Sequence, residues 1–206
     1  MQIRMFAFLL LLALSGTVGF ASPLASPSSQ PTTRASPADV LHACLADLDA
    51  GDRQKALDCF ATADPREAKV AEAQVDMMLA ISKLKKAVAA KWGSMAPFDL
   101  RMAVVGESEC ASIKEQINGD TASVEVVSED DQQAPANYSM VRRRGEWKIS
   151  LAEEVKAIPN DAAFADQMKA ALHLLKIIRE TTTAITNGQL NNVEEVQEKL
   201  SQSMTP

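Results

Sequence analysis

Residues 111–126 read ASIKEQINGDTASVEV, and residues 137–151 read NYSMVRRRGEWKISL. These two stretches decide the fold, because they alone read clearly as β-structure. In the first, Asn118-Gly119 carries the signature of a type I′ turn, since both residues tolerate positive φ. A two-residue loop there sets Ile113 opposite Val124 and Ala111 opposite Val126, so apolar residues meet on one face. In the second, a loop at Arg144-Gly145 sets Arg142 opposite Trp147, Met140 opposite Ile149 and Tyr138 opposite Leu151. Again one face is apolar. The expectation is an antiparallel β-meander of about four strands.

Helical signals flank this core. Ser36-Pro37-Ala38-Asp39 offers a cap, a proline suited to the first helical position and an acid at the positive helix end. Val40, Leu41, Cys44, Leu45 and Leu48 then form an apolar stripe that Gly51 ends. Asp52 caps a short second helix carrying Ala56, Leu57, Cys59 and Phe60, so the two helices should fold back as a tight αα-hairpin. Asp64-Pro65-Arg66-Glu67 opens a third helix that Gly93 closes. Its stripe of Val70, Met77, Ile81, Leu84 and Val88 runs about 42 Å at 1.5 Å per residue, and it should lie across the sheet. Beyond the sheet, Pro159-Asn160-Asp161 opens a helix with Phe164, Met168, Ala171, Leu175, Ile178 and Ile185 on one stripe, stopped at Asn187-Gly188. Asn192-Val193-Glu194-Glu195 caps a last helix. Between Ser94 and Cys110, Pro97 breaks any continuous helix, and Phe98–Val105 reads equally as a short helix or a strand.

The fold class expected is therefore α+β. N-terminal helices and one long helix pack on the meander, and C-terminal helices follow. Residues 36–203 form a single domain with a C-terminal helical extension. That extension should dock on the domain, because its stripe needs a buried counterpart.

The N-terminus points to export. Arg4 precedes an apolar run from Met5 to Leu14, and Gly19 and Ala21 stand at the −3 and −1 places of a cleavage site. Residues 1–21 read as a signal peptide, cleaved to leave a periplasmic or extracellular protein. The run is short for spanning a bilayer. Residues 22–35, SPLASPSSQPTTRA, are dominated by Pro, Ser and Thr and read as a flexible linker. The net charge of −6 argues against nucleic acid or an anionic membrane as partner.

Most catalytic signatures do not occur in the sequence: no GxSxG, HExxH, CxxC or P-loop is present. His42 and His173 lie far apart and do not suggest a metal or catalytic pair, and no cofactor is implied. Arg142-Arg143-Arg144 alternates across the strand and then enters the turn, so its charges do not converge, although Arg142 opposite Trp147 suits a cation–π contact. Glu129-Asp130-Asp131 reads as a solvated loop. Glu115 shares a strand face with Ile113 and Ile117. If buried there, its pKa would rise and it would suit a catalytic base; the alternative places it on the rim. Tyr138, Met140 and Trp147 are candidate pocket-lining residues.

Three cysteines in an exported chain allow three single bridges. If the first two helices fold back at Gly51, Cys44 and Cys59 stand at about 11 Å from the bend, each on an apolar stripe. A Cys44–Cys59 disulfide is expected, worth about 3 kcal/mol by the chain-entropy argument. The alternative is three buried thiols. The fate of Cys110 stays open.

Gly51-Asp52 with Ala56-Leu57, Asn118 to Val124 and Arg144 to Ile149, in that order around a long helix, resemble the secreted members of the nuclear-transport-factor-two-like superfamily. That superfamily includes SnoaL-type and ketosteroid-isomerase-type domains. The resemblance covers about residues 37–152. It implies a curved antiparallel sheet wrapped on helices with a pocket between, but no residue matches the enzymes' acid base and polar pocket donors. The expectation is an exported non-enzymatic domain binding a small molecule or an envelope protein. The alternatives are a small pocket hydrolase or isomerase using Glu115, and a helical protein–protein interaction module.

Overall fold

A computed structural model describes residues 35–93, 110–128 and 135–204. The expected signal peptide at 1–21, the expected linker up to Arg34, the segment around Pro97 and the acidic run at 129–131 lie outside the described residues.

Most of the helices begin where a side chain satisfies a free backbone N–H. Helix α1 (Pro37–Ala50) starts at a full capping box: Ser36 Oγ accepts the Asp39 N–H, and Asp39 accepts the Ser36 N–H. It stops at Gly51, which adopts φ +79°, a left-handed conformation that glycine takes without penalty. Helix α2 (Arg53–Asp58) is capped by Asp52, and α3 (Pro65–Trp92) by Asp64 with Pro65 at its first position. After the sheet come a short α4 (Ala152–Lys156), a long α5 (Asp161–Thr186) capped by Asn160, and α6 (Val193–Met204). At α6 the Asn192 side chain accepts the Glu195 N–H. The Glu195 carboxylate reaches back one residue further than a capping box requires, to the Asn191 N–H.

The strands β1 (Cys110–Asn118), β2 (Thr121–Ser128), β3 (Ala136–Arg143) and β4 (Glu146–Ile149) form an antiparallel meander in sequential order, so the protein is α+β. The second hairpin has the expected register, with Met140 opposite Ile149 and Arg142 opposite Trp147. Arg144 and Gly145 both take positive φ, as a type I′ turn requires. β4 ends at Ile149, so Tyr138 has no ladder partner in Leu151.

The first hairpin corrects the expectation. Asn118 pairs with Thr121, so the loop is Gly119-Asp120, and Ile113 stands opposite Val126 rather than Val124. Only Gly119 is left-handed there, the arrangement of a type II′ turn. A register shift between Cys110 and Ser112 leaves Ala111 as an extra residue.

The outer edge of β4 is covered by the chain leaving α2. Ile149 donates its N–H to Cys59 O and accepts from Ala61 N, both at 2.8 Å, which makes a parallel bridge at Phe60.

Two apolar clusters fill the interior. The first joins α1, Ala56 and Phe60, the start of α3, and the inner face of the sheet with Val124, Val126, Met140, Trp147 and Ile149. The second is helical: Ile81, Leu84 and Val88 of α3 meet Leu174, Ile177, Ile178 and Ile185 of α5 and Val193, Val196 and Leu200 of α6. The long α3 joins the cluster on the sheet through Val70, Ala71 and Val75 near its start, while α1 lies closest to the sheet, touching β1, β2 and β4. A helix of 28 residues outruns strands of eight or nine, so its C-terminal half must find other cover. α5 supplies it, and the C-terminal stripe is buried as expected.

Candidate functional site

The αα-hairpin brings two sulfurs together. Cys44, on the inner stripe of α1, is buried to 2% exposure, and its Sγ lies 3.9 Å from Ala56 O on α2. Cys59, at the C-terminal end of α2, is half-buried, and its Sγ lies 3.4 Å from the adjacent carbonyl, Lys55 O. The two thiols are near enough to influence one another's ionisation. Neither is part of a disulfide in this structure.

Their environments differ. Interaction with the Cys59 sulfur, reinforced by burial, drives the Cys44 thiol far above its ordinary pKa. The same interaction lowers that of Cys59. Burial opposes this lowering, and the Lys148 ammonium assists it. Lys148 is placed by β4 and donates to Asp58 O at 2.8 Å, one residue from Cys59. Tyr138, on β3, is pushed up to about 12, first by burial and then by the Cys44 and Cys110 thiols. All three cysteines and Tyr138 thus belong to the first apolar cluster or its margin.

Glu115 lies elsewhere. It is exposed on β1, and its carboxylate accepts the Ala38 N–H at the start of α1 at 3.0 Å. Its face is the one expected, opposite Val124, but the helical layer does not reach over it. The same holds for Ile117, at 49% exposure. Among the described residues β1 is the edge of the sheet, and Lys114 to Asn118 are exposed in succession. Next to a two-residue loop the flanking pair is hydrogen-bonded. Asn118, Gln116 and Lys114 therefore turn their backbone groups to β2, while Ile117, Glu115 and Ile113 turn theirs outward.

Of the residues expected to line a pocket, Met140 and Trp147 are buried in the first cluster, and Tyr138 is half-buried against it. Arg142 stacks over Trp147 at 4.4 Å from the ring centre. Arg143 and Arg144 are exposed, the latter in the turn. Among the lysines of α3, Lys86 bonds Asp49 O and Lys91 bonds Leu190 O, so both fasten neighbouring segments. His42 and His173 are exposed, on α1 and α5. Among the described residues no group of three or more His, Cys, Asp or Glu is placed to hold a metal, and no helix is long and apolar enough to cross a membrane.

The sequence reading missed the Phe60–Ile149 bridge and helix α4. A lone bridge leaves no periodic signal, and five residues are too few for a helical stripe. No family model, curated protein or solved structure matches the chain.

Proposed function

We propose that the chain is an exported, non-enzymatic domain that binds another envelope protein along the outer edge of β1, and that in this compartment its helical hairpin is closed by a Cys44–Cys59 disulfide. The observation that carries the binding reading is the open edge itself. Among the described residues, Ile113, Glu115 and Ile117 have no ladder partner on their outward side, and Ile117 adds a half-exposed apolar side chain. An extended segment of a partner can add there as a further strand, with main-chain bonds giving affinity and an apolar residue against Ile117 giving register. The bulge at Ala111 marks where that edge ends. Glu115 supports the non-enzymatic reading, because it holds a helix end in the open instead of facing an enclosed site.

The resemblance to the nuclear-transport-factor-two-like superfamily stays a proposal. The order of helix pair, long helix and meander agrees with it, and α5 and α6 are additions to that pattern.

Site-specific photo-crosslinking in the exporting cell tests the binding surface. A crosslinker at Gln116 is expected to give a discrete protein adduct, and one at Lys176 on α5 none. Ile117→Pro removes an outward N–H without breaking the β1–β2 ladder and should abolish the adduct while leaving the melting curve in place. An adduct from Lys176 alone, or one from Gln116 that survives Ile117→Pro, contradicts the assignment.

A further inference from the structure

We propose that Cys44 and Cys59 are an exchanging dithiol rather than a static staple, with Cys59 the attacking sulfur, Cys44 the resolving sulfur, and a small-molecule disulfide as the oxidant. This rests on the pairing proposed above and extends it to a reaction.

Three features of the geometry support the division of roles. The sulfurs lie beside adjacent carbonyls of one helical turn, Lys55 O and Ala56 O. Only Cys59 is accessible, since Cys44 is sealed in the core beneath α2. The Cys59 backbone is held against β4 through the Ile149 N–H, while the Lys148 ammonium is held beside it by Asp58 O. An accessible sulfur on a fixed backbone, with a cation nearby, is set up to react as a thiolate. The lowered pKa of Cys59 and the raised pKa of Cys44 agree with that order of attack.

The chemistry balances as two exchanges. The Cys59 thiolate attacks one sulfur of the external disulfide, forming a mixed disulfide and releasing one thiolate, which takes a proton. Cys44 then gives up its proton and attacks Cys59 Sγ. The Cys44–Cys59 bond forms, and the second thiolate leaves. The pair loses two electrons and two protons, and the external disulfide becomes two thiols. The buried resolving sulfur keeps the mixed disulfide short-lived.

The test uses the reduced full chain carrying Cys110→Ser, with oxidised glutathione as the probe and peptide mapping as the readout. The pair is expected to close into the internal disulfide. Adding Cys44→Ala should trap glutathione on Cys59. Adding Cys59→Ala instead should leave Cys44 modified at least about tenfold more slowly. Because Cys44→Ala removes a core side chain, a second measurement uses the unmutated reduced chain: limited iodoacetamide should label Cys59 at least about tenfold faster than Cys44. If no internal bridge closes under any oxidant, the pairing itself is wrong. If the bridge closes but glutathione and iodoacetamide take Cys44 as readily as Cys59, the pairing stands and the exchange is overturned.

Discussion

The Glu115 carboxylate accepts the backbone N–H of Ala38 at 3.0 Å, which ties the open edge of the sheet to the first turn of α1. It also completes that helix start. Ser36 and Asp39 serve one another, Pro37 has no N–H to satisfy, and Ala38 would otherwise be left without an acceptor. Glu115→Ala should destabilise the fold by about 0.5–1 kcal/mol, as losing a cap does, while Glu115→Gln keeps an acceptor and costs less. Urea denaturation of the two variants checks this. Equal losses would assign the effect to charge alone.

Arg142 lies flat on Trp147, with its Nε buried and without a hydrogen-bond partner among the described residues. Arg142→Met keeps most of the stem and removes the cation. We expect a loss of about 0.5–1 kcal/mol, insensitive to salt because the contact is with the ring. A loss that disappears at high salt would instead assign the effect to the 3.8 Å pair with Asp120.

Glu154 is expected to cost stability at neutral pH. Its pKa is raised above the usual 4.5 chiefly by burial, with Glu153 and Glu67 adding repulsion, and its Oε2 finds no hydrogen-bond partner among the described residues. A raised carboxyl binds its proton more tightly folded than unfolded. Its unfavourable contribution is therefore present at neutral pH and fades as pH falls through the raised value toward 4.5 and below. Glu154→Gln should raise Tm at pH 7 by about 1–2 °C, for roughly 0.5 kcal/mol, with no gain near pH 4. A gain of equal size at both pH values would remove ionisation as the cause.

The C-terminal helices contribute through α5. Ile178 is fully buried in the second cluster, whereas Leu172 on the same helix is 56% exposed. Ile178→Ala should cost about 2–5 kcal/mol and Leu172→Ala less than about 0.5. Truncation after Leu151 would uncover Ile81, Leu84 and Val88 and should lower Tm substantially. Unchanged melting after truncation would make these helices an independent appendage.

The sequence revealed more of the fold than of the site, and particular residues show why. Arg144-Gly145 permits one two-residue loop, so the second hairpin was legible down to the stacking of Arg142 on Trp147. Around Asn118-Gly119-Asp120 two loops compete, and the observed one shifts each pairing by two positions. A shift of two keeps every side chain on its face, so Ile113 still meets valine. The exposure of Glu115 was not legible, because it depends on how far α1 reaches over β1, which no local pattern encodes. The approach of Cys44 to Cys59 was legible, since Gly51 sets the bend and both residues stand at similar distances from it. The unequal environments of the two sulfurs were not. They depend on Lys148, which arrives from β4 some ninety residues along the chain.

The central claim is an exported domain whose first two helices are joined through Cys44 and Cys59. It is tested most directly by peptide mapping of protein recovered from outside the cytoplasm, alkylated before any reduction. The account predicts a mature N-terminus at Ser22 and one linked peptide pair, Cys44 with Cys59. Retention of residues 1–21, recovery of Cys44 and Cys59 as alkylated thiols, or a bridge from Cys110 to either would contradict it.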